Sequence, residues 1–232
     1  MIERNMIAFI PARGGSQRLP GKNIKLLYGK PLIEWIIRFA LKSSIFLGVY
    51  VSTDDNEIAT ISENAGAQVI IRPPELASDF SSTAESAGHA YEVISNTTNI
   101  DFLCTLQPTN RLRPCKLMED VIEKLVLLDD HTSLTTVSKC ELKLGRISAQ
   151  KEYISVNYSL GQRSQDMDHL FYENGLLYIT PAKLIETGKL FGGRVITFET
   201  DKRYSIGIDD LIDFQLAELM FKENIDELSY LL

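Results

Sequence analysis

The sequence predicts an α/β protein in three layers, a mostly parallel sheet between helices. Two observations carry that reading. Short apolar runs alternate with helix-like patterns through the first half of the 232-residue chain, as expected of parallel strands joined by helical crossovers. The polar groups best suited to bind something (Arg13, Thr53 and Asp54, Arg72, Gln107) each follow one of those runs, at the sheet edge where such folds place their ligands.

Taken in order, MIAFI reads as a strand, followed by a glycine-bearing loop and a helix from Pro31 to about Lys42. Leu32, Trp35, Ile36 and Phe39 share one face of that helix, and Pro31 sits where a first-turn proline is tolerated. LGVYVST is a second strand, and DDNEIATISENAG a capped helix ending at Gly66. AQVII is a third strand, STAESAGHAYEVIS a helix, DFLCTLQ a fourth strand and CKLMEDVIEKLVLL another helix. From about Thr132 the rhythm changes: SLTTVS, YISVNY and GLLYIT read as shorter strands with irregular connections. Residues 139–171 are polar and lack a helical pattern, which suits either a β-arm over the site or an oligomer contact. RVITFE and RYSIGI restore the core pattern, and DDLIDFQLAELMFKE closes the chain as an amphipathic helix. Without repeats, low-complexity tracts or long linkers, residues 1–232 are expected to form one domain.

Hydrophobic residues make up 44% of the chain, enough for a sizeable core. A net charge of −7 and a pI near 5.1 argue against a nucleic-acid partner, which calls for a basic footprint. The apolar stretches are far shorter than the roughly 20 residues of a membrane helix, and the N-terminal run is too short for a secretion signal. The expectation is a cytoplasmic protein that does not engage a membrane. Cys104, Cys115 and Cys140 are odd in number and lack CxxC spacing, so they read as free thiols in a reducing compartment. His89, His131 and His169 match no metal-ligand spacing and read as structural.

In IPARGGSQRLPGKN, Arg13, Arg18 and Lys22 surround a glycine pair, and no acidic residue occurs from Met6 to Lys30. The spacing fits neither a Walker A loop nor the GxGxxG fingerprint. What remains is a glycine pair whose N–H groups can form a concave nest for phosphate oxygens, with Arg13 and Lys22 supplying charge. The alternative from this loop alone is a solvated basic turn.

Read together, several stretches resemble the sugar-activating nucleotidyltransferases and, more narrowly, the CMP-sialic acid synthetases (acylneuraminate cytidylyltransferases). IPARGGSQRLPGKNIKLLYGKPLIEW, VSTDD, AGAQVIIRPPELASDFSST, LQPTNRLRP, NGLLYIT and IGIDDLIDFQLAE follow the family's order and spacing; only the segment from about Lys139 to Tyr172 aligns poorly. The resemblance implies a Rossmann-like three-layer nucleotidyltransferase fold with a small β-arm for dimerisation, residues 139–171. It implies transfer of CMP from CTP to the anomeric hydroxyl of a nonulosonic acid, with loss of pyrophosphate. By the same resemblance Ala12, Arg13, Gly14, Gly15, Ser16, Lys22, Asn23, Arg72 and Thr83 would bind the nucleotide, with Arg13 and Lys22 serving catalysis. Gln107, Arg111, Asn174, Gly175, Tyr178 and, in the arm, Arg163 would meet the sugar. Asp209 would hold Mg²⁺ or Mn²⁺, and the assembly would be a homodimer. Alternatives within reach of the sequence are another 2-keto sugar acid of the KDO type, or a CTP-binding module with weakened catalysis. Plainer roles also stand open: an ion pair for Arg72, a strand-end hydrogen bond for Gln107, a turn for Asn174-Gly175.

Two departures bear on that chemistry. Relatives usually carry DID where this chain has GID, so Gly207 replaces the first of two aspartates and Asp209 stands alone. Asp210 is adjacent, but on a strand it would face the other way. Either water takes the lost ligand's place, another carboxylate reaches in, or catalysis is weakened. Asn110-Arg111 replaces the usual Ser-Pro, and the added cation could meet the sugar's carboxylate. Because both reactants are anions, the work expected of the protein is positioning and charge neutralisation.

Overall fold

The computed structural model describes residues 4–110, 113–114 and 116–224. β1 (Met6–Pro11) is buried along nearly its whole length and leads into the glycine-bearing loop. A short ladder, β2 (Leu26–Leu27) with β3 (Lys30–Pro31), turns through Tyr28 and Gly29 at positive φ. It delivers the chain into α1 (Leu32–Lys42) with Pro31 at the cap. The buried face of α1 is wider than the four residues read from the sequence, since Ile33, Ile37 and Ala40 are buried too. β4 (Phe46–Thr53) follows, then α2 (Asn56–Asn64), whose first N–H groups bond the Asp55 side chain. Gly66 at φ 97° turns the chain out of α2 into β5 (Gln68–Ile71). α3 (Thr83–Ser95) begins in a capping box between Ser82 and Glu85 and packs against β1; β6 (Phe102–Thr105) follows.

The second half departs more from expectation. α4 (Leu117–Ile122) stops well before Leu128 and gives way to a 3-10 turn at Leu125–Leu127. The run Leu125 to Leu128 is apolar all round and selects no helical face; the tighter turn drops Leu128 into the core. β7 (Thr132–Cys140) is longer than the strand read from SLTTVS. β8 (Gly145–Ile147) and β9 (Tyr153–Ser155) form a separate two-stranded sheet within the arm. β10 (Leu170–Pro181) starts five residues before GLLYIT and is followed by α5 (Ala182–Glu186), β11 (Arg194–Glu199) and α6 (Leu211–Glu223). RYSIGI is not a strand. Asp201 caps a 3-10 turn at Lys202–Tyr204, and only Gly207 makes a bridge, to Asn110. Tyr204 and Ile208 reach the core from that irregular path.

The central sheet has the order β11-β7-β10-β6-β1-β4-β5. β1 pairs in parallel with both β4 and β6, and β10 runs antiparallel to β6 and β7. The chain leaves β1 toward β4 and β5, then returns to β6 on its other side. The strand order therefore reverses at β1, the switch point where open α/β sheets bind ligands beyond their carboxyl ends. Because β10 runs the other way, its beginning, not its end, lies at that edge. Cys104 and Cys140 are free thiols. Burial pushes the Cys104 thiol up to about 12, which makes it inert. Cys115 lies outside the described residues. No helix among the described residues is long and apolar enough to cross a membrane.

Candidate active site

Ala12 is fixed at the carboxyl end of β1 by its N–H bond to the Ser52 carbonyl of β4, 2.9 Å. From there the loop swings across the sheet edge. Gly14 and Gly15 serve different ends. A Cβ on Gly14 would sit 2.7–2.8 Å from Asp55 side-chain atoms, whereas one on Gly15 would meet nothing within 4 Å. Gly14 is thus needed for close approach of the α2 cap, and its N–H already donates to Asp54 Oδ1 at 3.0 Å. Half of the nest expected from the sequence is therefore occupied by the protein's own carboxylate. Ser16 N–H donates to the Gly14 carbonyl, 2.9 Å. Asn23 is buried, and its side-chain amide donates to the Arg13 carbonyl at 3.0 Å, holding the two ends of the loop together.

Each of the three cations faces a carboxylate. Arg13 Nη1 lies 2.7 Å from Asp79 and donates to the Ser78 carbonyl at 3.1 Å; the Gln17 amide also donates to Asp79. Arg18 and Lys22 converge on Asp209, one on each oxygen, at 3.1 and 3.3 Å. The Lys22 side chain is 13% exposed against 72% for Arg18, so Lys22 is the more firmly placed. A cavity of about 450 Å³ is lined by Arg13, Arg18, Lys22, Asp79 and Asp209. A second, of about 360 Å³, lies against Arg13, Gly15, Ala77 and Asp79. The Arg13–Asp79 pair is shared by both. A cavity of about 550 Å³ at the opposite end of the sheet has Lys183 paired with Asp130 and Tyr91 with Glu186.

Arg72 follows β5 and is buried, with Nε on Ser52 Oγ at 3.1 Å and Nη2 on the Ser52 carbonyl at 2.9 Å. Its burial lowers its pKa; Asp54 opposes that and Arg13 adds to it, which puts all three in one electrostatic neighbourhood. In place of the ion pair left open from the sequence, these bonds tie Arg72 to the end of β4. Thr83 opens α3 just past the Ser78–Ser82 stretch that Arg13 touches.

On the other bank, the Gln107 carbonyl and the Asn110 N–H meet at 3.3 Å just past β6. Asn174 is buried, and its amide donates to Ser138 Oγ and Thr200 Oγ1 at 2.8 and 2.7 Å. Its side chain ties β10 to its neighbours and is not turned to the cleft, so the sugar contact implied for it would have to come through its surroundings. Gly175 takes φ 70° in the irregular stretch of β10 between Glu173 and Tyr178, a conformation that favours glycine. Tyr178 packs edge-on against Phe191 at 5.6 Å; burial raises its pKa, with Glu173 adding to the effect. Arg163 does not join the cleft: it is exposed in the arm and forks onto Asp166 at 2.7 and 3.1 Å. Arg111 lies outside the described residues.

Asp209 fits one carboxylate of a magnesium-type site, a class built from one or two carboxylates completed by phosphate oxygens and water. Among the described residues no cluster of three or more His, Cys, Asp or Glu side chains forms a cage for a metal. Asp210 does not substitute for the missing aspartate. It caps α6, accepting from the Asp213 N–H at 2.9 Å, and does not lie on a strand. Gly207 is bridged to Asn110, and a Cβ there would lie 3.3 Å from Asn110 Oδ1.

Two participants were missed in the sequence. Asp79 lay within the quoted LASDF, where an acidic residue six positions beyond Pro73 signals nothing by itself. Arg113 lies within LQPTNRLRP; it is fully buried, and no sequence pattern marks an arginine for burial.

The family model described as cytidylyltransferase matches residues 7–230. The chain belongs to the cytidylyltransferase family. An N-acylneuraminate cytidylyltransferase A of Danio rerio is 34% identical over 219 residues, 93% of this chain and 50% of that protein. An N-acylneuraminate cytidylyltransferase of Escherichia coli O18:K1:H7 is 31% identical over 218 residues, 91% and 51%. A pseudaminic acid cytidylyltransferase of Campylobacter jejuni is 29% identical over 225 residues, 94% and 97%. The chain spans about half the length of the first two cytidylyltransferases and nearly all of the third. Among solved structures, a CMP:2-keto-3-deoxy-manno-octonic acid synthetase complexed with CTP aligns with TM-score 0.72 at 17% identity, over 95% of this chain and 99% of that one. At that identity the likeness speaks for the fold.

Proposed function

We propose that this cytidylyltransferase transfers CMP from CTP to the anomeric hydroxyl of a nonulosonic acid, with release of pyrophosphate. The observation that carries it is the convergence of Arg13, Arg18 and Lys22 on one cleft at the switch point of the sheet. The names of the relatives supply the class of acceptor. In the reaction the sugar hydroxyl oxygen bonds the α-phosphorus, the bond to the β-phosphate oxygen breaks, and the hydroxyl proton passes to solvent. Arg13, Arg18 and Lys22 would take the triphosphate in exchange for Asp79 and Asp209, with Ala12, Gly14, Gly15 and Ser16 as backbone cradle and Asn23 keeping the loop closed. Arg72 and Thr83 would border the base. Gln107, Arg111, Gly175 and Tyr178 would border the sugar, with Asn174 setting their backbone. Mg²⁺ or Mn²⁺ held by Asp209 would supply charge neutralisation and Lewis acidity at the phosphates.

The decisive measurement is pyrophosphate release with CTP, Mg²⁺ and a panel of nonulosonic acids, run beside UTP, GTP and ATP. CTP with at least one nonulosonic acid is the expected productive pair. Preference for another triphosphate overturns the cytidine assignment, turnover of a KDO-type acid alone moves the acceptor, and CTP binding without release leaves a binding module. The arm is proposed to pair two copies, with Arg163 serving the partner's site. Leu142, Ile147, Tyr153, Val156 and Leu160 are exposed along it, which is apolar area a second copy would cover. A strictly monomeric species in sedimentation, fully active, removes that assignment.

A further inference from the structure

We propose that Arg113 is a positioning residue that sets the acceptor bank and the Asp209 segment in one register; only its kinetic readout rests on the activity proposed above. Arg113 is 0% exposed. Its guanidinium donates to the Leu176 carbonyl from Nε at 3.0 Å and from Nη2 at 2.8 Å, to the Gln107 carbonyl at 3.1 Å, and to the Asn110 carbonyl. It also lies over the Phe39 ring, 5.6 Å from its centroid. Those carbonyls belong to two elements that approach the reacting edge from opposite directions: the segment leaving β6 and the irregular start of β10. A planar fork with five donors can bridge them; the ammonium of lysine, a point charge, cannot span them in one plane.

The connection extends to the metal carboxylate. Asn110, held by Arg113 through its carbonyl, donates from its side chain to the Asn174 carbonyl and bridges Gly207. The Ile208 N–H donates to the Thr109 carbonyl at 3.0 Å, and the next residue is Asp209, which meets Lys22 and Arg18. One buried cation therefore fixes Gln107, the Asn174-Gly175 turn and the backbone that presents Asp209. Burying a cation is costly, and a leucine would fill the same volume more cheaply if packing were all that was required. The charge is spent on orienting carbonyls.

The test uses the full chain carrying Arg113→Lys or Arg113→Met, the latter keeping bulk should an alanine variant not fold. By hydrogen exchange of the ligand-free protein, Asn110 and Ile208 amides should exchange roughly tenfold faster or more in the methionine variant, as expected when hydrogen bonds to a charged group are lost. The Ala12 and Arg72 amides, bonded to Ser52 and Thr53, should be unchanged. With a productive sugar acid, kcat/KM for that acid should fall about a hundredfold, the scale of a displaced reactive group, while KM for CTP moves less than about threefold. The lysine variant should restore protection and turnover in part. Uniform acceleration that includes Ala12 and Arg72 makes Arg113 an ordinary core stabiliser and overturns the proposal, as does unchanged exchange at Asn110 and Ile208. If the unsubstituted chain turns over no sugar acid, the proposed activity falls, and the exchange pattern still decides the role of Arg113.

Discussion

On the bank proposed for the nucleotide, loop cations meet Asp79 and Asp209 through ion pairs in which Arg18, Asp79 and Asp209 remain well exposed. On the bank proposed for the acceptor, Arg113 and Asn174 are buried and bonded to carbonyls and hydroxyls of neighbouring strands. Exposed pairs of the first kind are worth only about 0–1 kcal/mol and weaken with salt. Buried polar bonds of the second kind cost about 1–3 kcal/mol when one partner is lost. On the proposed function, the first bank would exchange its own carboxylates for phosphates with little penalty, while the second keeps one geometry.

That contrast can be broken from the nucleotide side. Lys22→Ala is expected to give the largest effect. Losing one preorganised charge contact should raise the barrier by about 3–4 kcal/mol, a hundred- to thousandfold in kcat. Thermal unfolding should stay near that of the parent, because the Lys22–Asp209 pair is partly open to solvent. Near-normal kcat in steady-state assays would remove Lys22 from the reaction. A smaller and opposite change is expected of Asp79→Asn. Freed of its partner, Arg13 should bind CTP up to about fivefold more tightly at low salt, the ceiling for a surface pair. Titration calorimetry at two ionic strengths reads this directly, and weaker CTP binding in the variant would mean that Asp79 supports the bound state and does not compete with it.

The two banks also differed in how far the sequence disclosed them. β1, α1, β4, α2, β5, α3 and β6 follow from alternating apolar runs and caps, because a strand buried on both faces and its crossover helix each leave a distinct period. Arg13, Arg18 and Lys22 stand out as charge without compensation nearby in sequence, and Asp209 is marked by the family resemblance alone; the structure brings all four to one cleft. The acceptor bank was less legible. The early start of β10 was hidden because Leu170, Phe171 and Tyr172 are all exposed, so no alternation marks them. RYSIGI has a strand's composition but bends at the Asp201 cap. Arg113 and Asn174 act through burial and through partners dozens of residues away, which local pattern cannot register.

The reversed direction of β10 has a consequence for how such a molecule can diversify. The connection from β7 to β10 departs from and returns to the reacting edge, with Cys140 opposite Leu170 at its base. Lengthening a surface excursion costs little, only about 0.6 kcal/mol per doubling, and residues added there leave the pairing below them untouched. On the proposed function, a lineage could therefore re-tailor what borders the sugar by editing one insertion while inheriting the nucleotide loop unchanged.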